Sequence, residues 1–493
     1  MQTLPANLYS VASVREMDRA AIEDQGIAGY TLMTRAATAA LTAAQQRFPA
    51  SRRWQVLCGA GNNGGDGYVL ARLAADHGIA VSVLTLVDPQ VLKGDAATAC
   101  REFVDGGGHV SGWAGELDAE ADLLIDGILG SGLERDVAGR FAEAVAAINA
   151  QAARVVALDI PSGLHGDTGQ PLGTAVKADL TVTFVGLKSG LFLNRAPDHC
   201  GAIVFDGLGI PDVCRASVDP ELCRVDDDLM IRLLARRPRT AHKGDFGHVL
   251  VVGGGEGMPG AARLCGEAAL RAGAGKVSIA TAPAHAATLA TTRPELMCHA
   301  VSQASDLDAL MEQADVIAFG PGLGQSTWSE MLFERVAGDS RPAVWDADAL
   351  NLLARTREKS PQRIITPHPG EAGVLLGQAT AEIQADRLAA VRALQHRYGG
   401  VAVLKGAGSL IVGDSATPPY LSTSGNPGMA VAGMGDVLTG IIAGFVAQGM
   451  APLAGAAAGV EAHARAGDRA ATGGERGLMA TELMDALRGV INP

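Results

Sequence analysis

Residues 426–445 read NPGMAVAGMGDVLTGIIAGF, a glycine-rich stretch that leads into an uncharged, helix-forming segment. Glycine allows backbone N–H groups to point inward where a Cβ would block them, and the first turn of a helix adds unpaired N–H donors. The stretch therefore predicts an anion-binding loop at a helix N-terminus. Asp436 lies inside it and either accepts a proton from an attacking hydroxyl or only complements the helix dipole. We expect the dipole to keep the pKa of Asp436 low.

Length and composition limit the classes of protein that the chain can belong to. The 493 residues predict two domains, and the formal net charge of −13 argues against nucleic-acid binding. The seven cysteines form no CxxC pair, which favours a reducing compartment over a disulfide framework or a zinc site. The uncharged segment 437–460 contains Gln448, Pro452 and many small residues, so buried helices are favoured over a membrane span. We expect a cytoplasmic location and a homo-oligomer.

Short apolar runs alternate with helix-length segments along most of the chain. This alternation predicts two α/β domains, each with a parallel sheet covered by helices on both faces. The charged segment 213–238 offers no strong apolar strand, so we place the boundary there, with domains 1–213 and 238–493 and a linker at 214–237. The predicted strands begin at Trp54, Ala80, Asp122, Val155, Leu180, Ala202, His248, Lys276, Asp315, Ala343, Arg363 and Val401.

In the first half, the segment CGAGNNGGDG follows a predicted strand and opens a helix. It contains a GxGxxG pattern, which is a weak indication of dinucleotide binding by itself. Asn62, Asn63 and Asp66 add polar side chains that this pattern does not explain. Together with Asp126, at the end of another strand, they provide the oxygen-rich environment that a hard cation prefers. Taken alone, Asn63 or Asp126 is more typical of a turn-forming side chain than of a cation ligand.

Three motifs in order, GNNGGDG, DGILGSGL and VVALDIPSGLHGDTG, resemble the NAD(P)H-hydrate epimerase family over residues 10–212. The resemblance implies a Rossmann-like three-layer α/β/α domain that interconverts the R and S hydrates of NADH and NADPH. It implies K⁺ at Asn63, Asp126 and Ser162, and Asp159 as the catalytic acid/base. We interpret Lys188, in GLKSGL, as a snorkelling surface residue. The implied substrate-binding residues are Asn62, Asn63, Gly64, Gly65, Asp66, Gly130, Ser131, Gly132, Leu133, Glu134, Arg135, Asp136 and Asp159.

In the second half, three further loops follow predicted strands: GPGLG at 320–324, TPHPGE at 366–371 and KGAGS at 405–409. The chain has no GxxxxGK[ST] motif, so a P-loop is excluded and phosphate must be bound by other glycine loops. Each loop by itself is compatible with an ordinary turn. Four such loops at strand ends, with Asp436 on the last, predict donors and a base around one cleft.

NPGMA and GMGDVLTG, with RPELM, GPGLG, DADALNLL and TPHPGE, resemble the ribokinase-like ADP-dependent NAD(P)H-hydrate dehydratase family over residues 238–490. Val431 and Ala432 depart from the family pattern. The resemblance implies a ribokinase-like α/β/α domain that uses ADP with Mg²⁺ to dehydrate the S hydrate, releasing AMP and phosphate, with Asp436 as the catalytic residue. The implied hydrate-binding residues are Ala261, Gly322, His368 and Asp436. The implied nucleotide-binding residues are Lys405, Gly406, Ala407, Gly408, Ser409 and Gly435.

Two other functions compete with a bifunctional repair enzyme acting on small-molecule hydrates. The chain could be a ribokinase-like kinase of a small alcohol, joined to a non-catalytic nucleotide-binding domain. A stable phosphorylated product would identify that function. Alternatively, the first domain could be a ligand sensor or a protein-binding module. Epimerisation that survives Asp159→Ala would favour the second alternative.

Overall fold

The computed structural model describes residues 4–414 and 417–492, and the chain divides between Leu222 and Cys223 into two units. The division falls inside the segment that was expected to be a linker, and the exact bounds of the two domains stay a prediction. That segment was also expected to lack a strong strand. It contains a three-residue strand at Leu222–Arg224, flanked by helices at Asp212–Ala216 and Asp227–Leu233.

The sheet of the first unit has seven parallel strands. Their order is β4-β3-β2-β5-β6-β7-β8, so the order reverses between β2 and β5, where open α/β sheets bind ligands. The strands of this unit are β1 (Asn7–Leu8), β2 (Arg53–Cys58), β3 (Ala80–Thr85), β4 (Val110–Gly112), β5 (Leu123–Gly127), β6 (Arg154–Leu158), β7 (Leu180–Phe184) and β8 (Ala202–Asp206). The helices are α1 (Val11–Arg19), α2 (Gly29–Arg47), α3 (Asn62–Asp76), α4 (Gly94–Asp105), α5 (Arg140–Ala150), α6 (Pro197–Cys200) and α7 (Asp212–Ala216).

Both faces of this sheet are covered, as the uninterrupted apolar strands predict. Trp54 and Val56 of β2 share a buried core with α2 and α3, whereas Leu57 shares another core with α5 on the opposite face. Successive strand residues point to opposite faces, so one strand contributes to two cores. The Rossmann-like three-layer prediction is confirmed.

The second unit contains a larger, mixed sheet. Its strands are ordered β9-β18-β17-β16-β15-β14-β13-β10-β11-β12, and β17 runs antiparallel to both of its neighbours. The strands are β9 (Leu222–Arg224), β10 (His248–Val252), β11 (Lys276–Thr281), β12 (Met297–Ala300), β13 (Val316–Phe319), β14 (Ala343–Trp345), β15 (Arg363–Ile365), β16 (Val401–Leu404), β17 (Ser409–Val412) and β18 (Tyr420–Ser422).

Twelve α-helices of the described residues belong to the second unit. They are α8 (Asp227–Leu233), α9 (Pro259–Ala272), α10 (Pro283–Thr292), α11 (Asp308–Gln313), α12 (Thr327–Ala337), α13 (Asp348–Thr356), α14 (Pro369–Leu376), α15 (Thr380–Ala385), α16 (Arg387–Tyr398), α17 (Met434–Ala447), α18 (Pro452–Ala470) and α19 (Ala480–Leu487). No helix in the described part of the chain is long and apolar enough to span a membrane.

Helix α17 packs closely on α9 because glycines of the opening stretch lie at the contact. A Cβ on Gly440 would lie 2.1 Å from the carbonyl oxygen of Cys265, and one on Gly444 would lie 2.8 Å from that of Ala269. Residues four apart share one helix face, so the two glycines form a single groove for α9. The two helices share a core with β10 on one face of the sheet. The predicted glycine loop followed by a buried helix is confirmed.

Candidate active sites

In the first unit, the three predicted cation ligands are buried at the ends of β5 and β6 and at the start of α3. The Oγ of Ser162 donates a hydrogen bond of 2.5 Å to Oδ1 of Asp126, and the Ser162 N–H donates one of 2.8 Å to Oδ2. Burial raises the pKa of Asp126 to about 6, although these hydrogen bonds favour the carboxylate. The backbone oxygen of Asn63 approaches Gly127, which directly follows Asp126.

The side chain of Asn63 is buried, and neither its oxygen nor its nitrogen has a hydrogen-bond partner in the described part of the chain. A buried amide without a partner costs about 1–3 kcal/mol. This cost indicates a group that the fold prepares for a ligand. Amide, carboxylate and hydroxyl oxygens suit a monovalent or divalent hard cation, and Asn63, Asp126 and Ser162 supply one group of each kind.

Asp159, the predicted acid/base, is paired with a lysine that the sequence analysis placed on the surface. That interpretation of Lys188 is wrong: its side chain is 2% exposed, and Nζ lies 2.5 Å from Oδ1 of Asp159. Burial of Asp159 opposes ionisation, but the charge of Lys188 and hydrogen bonds from Lys188 and Ser131 hold its pKa below the usual range. The burial of Lys188 could not be predicted, because a single lysine in GLKSGL gives no indication that its side chain is buried.

Only some residues of the predicted nucleotide loops lie near the ion pair of Asp159 and Lys188. The Ser131 N–H donates a 3.0 Å hydrogen bond to Oδ2 of Asp159, and a Cβ on Gly130 would lie 3.4 Å from both Asn63 and Asp159. Asp66 is also near, since burial and the charge of Asp159 raise its pKa well above its usual value. Of the remaining predicted positions, Gly64 and Gly65 are buried glycines of α3, and Leu133 is half-buried against the core that contains α5. The others are exposed, namely Asn62, Gly132, Glu134, Arg135 and Asp136.

In the second unit, Asp436 is the third residue of α17, after Gly433, whose φ of +92° turns the chain into the helix. The expectation that the helix dipole keeps its pKa low is wrong. Burial, and then the charge of Asp346, raise the pKa of Asp436 to about 7, against the opposing effect of Lys405. A carboxylate with this pKa is a better base near neutrality than an ordinary aspartate.

Asp346, on the loop after β14, is the centre of this site, although the sequence analysis gave it no role. It is buried, and its Oδ1 lies 2.7 Å from Nζ of Lys405 while its Oδ2 accepts a 3.0 Å hydrogen bond from Thr439. Lys405 also lies 3.8 Å from Glu371. A Cβ on Gly435 would lie 3.2 Å from Asp346 and 3.4 Å from Lys405, so α17 begins directly against the ion pair.

The predicted nucleotide loop, 405–409, is the turn between β16 and β17. Ser409 Oγ accepts a hydrogen bond from the N–H of Gly406, and Gly406 and Gly408 both have positive φ. The buried guanidinium of Arg387 donates to the carbonyls of Leu404, Lys405 and Gly408. Arg387 could not be predicted from the sequence, because it lies 18 residues before Lys405 and only the packing of α16 brings it to the loop.

Besides Asp436, three residues were predicted to bind the hydrate. Gly322 adjoins Ala261: a Cβ on Gly322 would lie 2.9 Å from that of Ala261. His368 caps α14, since its Nδ1 accepts hydrogen bonds from the N–H groups of Gly370 and Glu371. Nε2 of this exposed imidazole lies 3.4 Å from Glu371.

His463, on α18, is a further residue that the sequence analysis missed. Its side chain is buried, and its Nε2 has no hydrogen-bond partner among the described residues. Burial lowers its pKa to about 4, so the imidazole is neutral near pH 7. The environment of His463 could not be predicted from the alanine-rich sequence around it. Only the fold brings α18 beside the start of α17.

Together, the two units define a class: a two-domain α/β enzyme that joins a Rossmann-like domain to a ribokinase-like one. A family model described as NAD(P)H-hydrate dehydratase matches residues 249–488, and a YjeF-related protein N-terminus model matches residues 29–190. A solved ribokinase-like superfamily protein from Enterococcus faecalis superposes with a TM-score of 0.50 at 29% identity, covering 56% of this chain and 96% of its own.

Curated relatives match the whole chain. The bifunctional NAD(P)H-hydrate repair enzyme of Coxiella burnetii is 46% identical over 99% of both chains. The Escherichia coli enzyme of the same name is 42% identical over 100% of this chain and 95% of its own. The chain belongs to the family of bifunctional NAD(P)H-hydrate repair enzymes. The comparisons thus support the repair function rather than the competing small-alcohol kinase.

Proposed function

We propose that the chain repairs hydrated nicotinamide nucleotides in two steps. The first unit interconverts the R and S hydrates of NADH and NADPH. The second unit dehydrates the S form with ADP as phosphoryl donor and releases AMP and phosphate. Family membership over the full length supports both activities. The observation that carries the chemistry is Asp436, a half-buried acid with a pKa of about 7 at the mouth of a glycine loop.

In the second unit, Asp436 accepts the proton of the C6 hydroxyl while that oxygen takes the phosphoryl group from ADP. The loop 405–409 and the first turn of α17 supply backbone N–H donors for the phosphates, and Mg²⁺ accompanies the nucleotide. Loss of phosphate then restores the nicotinamide ring. Phosphoryl transfer makes small demands on the base, so the position of Asp436 matters more than its strength.

In the first unit, Asp159 is the acid/base at the hydrated carbon, and the loops at 62–66 and 130–136 bind the nucleotide. The oxygens of Asn63, Asp126 and Ser162 would hold K⁺. The ion would supply a fixed positive charge beside the substrate, and the unpartnered amide of Asn63 supports this assignment. A cytoplasmic location and a homo-oligomeric state are part of the same proposal.

Absorbance of the reduced nicotinamide in a mixture of R and S hydrates tests both activities together. Complete recovery of the signal with ADP is expected. Recovery that stops at the S fraction would contradict the epimerase assignment alone. No recovery with ADP or ATP would contradict the dehydratase, and a stable phosphorylated product would then indicate a small-alcohol kinase.

The cation is tested separately on the epimerase step. Isothermal titration with K⁺ should show binding to the wild-type chain and none to Asn63→Leu, which removes the unpartnered oxygen. Binding of equal strength to both proteins would contradict the assignment of Asn63 to the ion. Titration with Na⁺ and Mg²⁺ under the same conditions shows which hard cation the site prefers.

A further inference from the structure

Lys188 is buried to a degree that is rare for a lysine, with only 1% of the residue exposed. Its Nζ contacts Oδ1 of Asp159 at 2.5 Å, Oγ1 of Thr183 at 3.1 Å and the carbonyl oxygen of Phe184 at 3.1 Å. The carbonyl of Gly186 lies 3.4 Å away. Removal of an ammonium group from water is unfavourable, so this position needs a compensating partner. Asp159 is the charged partner that the structure provides.

The backbone on both sides of the ion pair is strained. Asp159 has a φ of +65°, and Val185 has a φ of +67°. A β-branched residue in this region is an outlier that persists only where the surrounding structure holds it there. Val185 lies between Phe184 and Gly186, the two residues whose carbonyls accept hydrogen bonds from Lys188. The strain is thus located at the residues that hold the two charged groups together.

The carboxylate of Asp159 is partly exposed, since 17% of its side chain is accessible to solvent. Oδ1 faces Lys188, whereas Oδ2 accepts a hydrogen bond from the N–H of Ser131. The charge of Asp159 raises the pKa of two other acids, Asp18 of α1 and Asp66 of α3, and the charge of Lys188 opposes both shifts. Burial, and then the charge of Asp159, raise the pKa of Asp66, so Asp159 is the acid that Lys188 keeps ionised.

We propose that Lys188 is the positioning residue of the epimerase, which holds the Asp159 carboxylate as an anion in one orientation and leaves Oδ2 facing the substrate. This inference rests on the proposed epimerase activity of the first unit. Lys188 acts through Asp159 and makes no contact with the reacting carbon. A purely structural ion pair would predict loss of stability without a specific loss of turnover, so the two roles are distinguishable.

The test is a double-mutant cycle on the full chain. Interconversion of R and S hydrates is followed by nuclear magnetic resonance without added nucleotide, for wild type, Lys188→Met, Asp159→Asn and the double variant. We expect Lys188→Met to lower kcat about 100-fold or more while KM changes less than about threefold. Because Lys188 acts through Asp159, the double variant should be no slower than Asp159→Asn alone.

Two controls separate this effect from damage to the fold. Lys177→Met replaces an exposed lysine of the same unit and should leave interconversion unchanged. Dehydration of the S hydrate with ADP should be the same in all variants, since the second unit carries it. If Lys188→Met alone fails to fold, the double variant, which has no unpaired buried charge, is compared with Asp159→Asn, and equal rates support the proposal.

Three results would overturn the assignment or its premise. Turnover of Lys188→Met within about threefold of wild type would show that the cation is dispensable. Additive losses in the double variant would show that Lys188 acts independently of Asp159. A wild-type chain that does not interconvert the hydrates would instead refute the proposed epimerase function, which is a different outcome from either of these.

Discussion

The rate of dehydration should fall as the pH drops below neutrality, because Asp436 must be ionised to accept the hydroxyl proton. Its pKa of about 7 is far above the usual 3.8, since burial and the charge of Asp346 both oppose ionisation. At pH 6 a group with a pKa of 7 is only about one-tenth ionised. We therefore expect kcat/KM for the S hydrate to be about tenfold lower at pH 6 than on its plateau above pH 8.

The assay is recovery of reduced-nicotinamide absorbance from the pure S hydrate with saturating ADP, over a series of pH values with matched ionic strength. Asp436→Asn should lose dehydration at every pH and still bind ADP. Because Lys405 lowers the pKa of Asp436, Lys405→Met should move the falling limb to higher pH. A profile that is flat from pH 6 to pH 8, or normal turnover in Asp436→Asn, would refute the reasoning.

The raised pKa of Asp436 also predicts that the free energy of unfolding depends on pH. Above a pH of about 4, the unfolded chain ionises this carboxyl while the folded chain resists ionisation up to about pH 7. The free energy of unfolding therefore falls between about pH 4 and pH 7, as the buried carboxyl of Asp436 increasingly opposes folding, and this contribution is constant above pH 7. At pH 8, Asp436→Asn should be more stable than wild type by on the order of 4 kcal/mol. Thermal unfolding at pH 5 and pH 8 measures this difference, and a variant less stable at both values would contradict it.

Three further predictions concern packing and binding. Gly440→Ala should destabilise the chain by about 1–3 kcal/mol, because the added Cβ would overlap a carbonyl of α9. Gly473→Ala is the control and should leave stability unchanged, because a Cβ there meets open space. Thermal unfolding of the two variants measures the difference. Arg387→Met should raise KM for ADP about tenfold by releasing the 405–409 loop, while exposed Arg392→Met should leave it unchanged in steady-state kinetics. Epimerisation by wild type should slow when K⁺ is replaced by Na⁺, and Asn63→Leu should be slow in both salts; equal wild-type rates would exclude a K⁺ requirement.

Much of the architecture follows from local sequence. The twelve apolar runs predicted to be strands are all strands, since the apolar pattern of a doubly covered sheet is visible without tertiary information. Short strands such as β9 and β18 were missed because they owe their existence to pairing with a neighbour and not to their own composition.

The sequence predicted some features of the two candidate sites and not others. Glycine loops mark Asp159 and Asp436 in the sequence as candidates, and their assignment as catalytic residues stays a prediction. Their ionisation could not be predicted, since one aspartate lies against Lys188 and the other against Asp346, and these partners are distant in the chain. The helix dipole does not keep the pKa of Asp436 low, because its effect of about 0.3–1 kcal/mol is smaller than that of burial and the charge of Asp346.

The sequence by itself determined the two α/β units, the glycine loops and the family to which the chain belongs. These properties depend on local sequence, because apolar runs, turns and motifs each involve only a few neighbouring residues. Only the tertiary structure decided that Lys188 is buried, that Asn63 lacks a partner and that Asp436 has a pKa near neutrality. Burial and Coulomb interactions depend on distance in space, and the fold sets that distance.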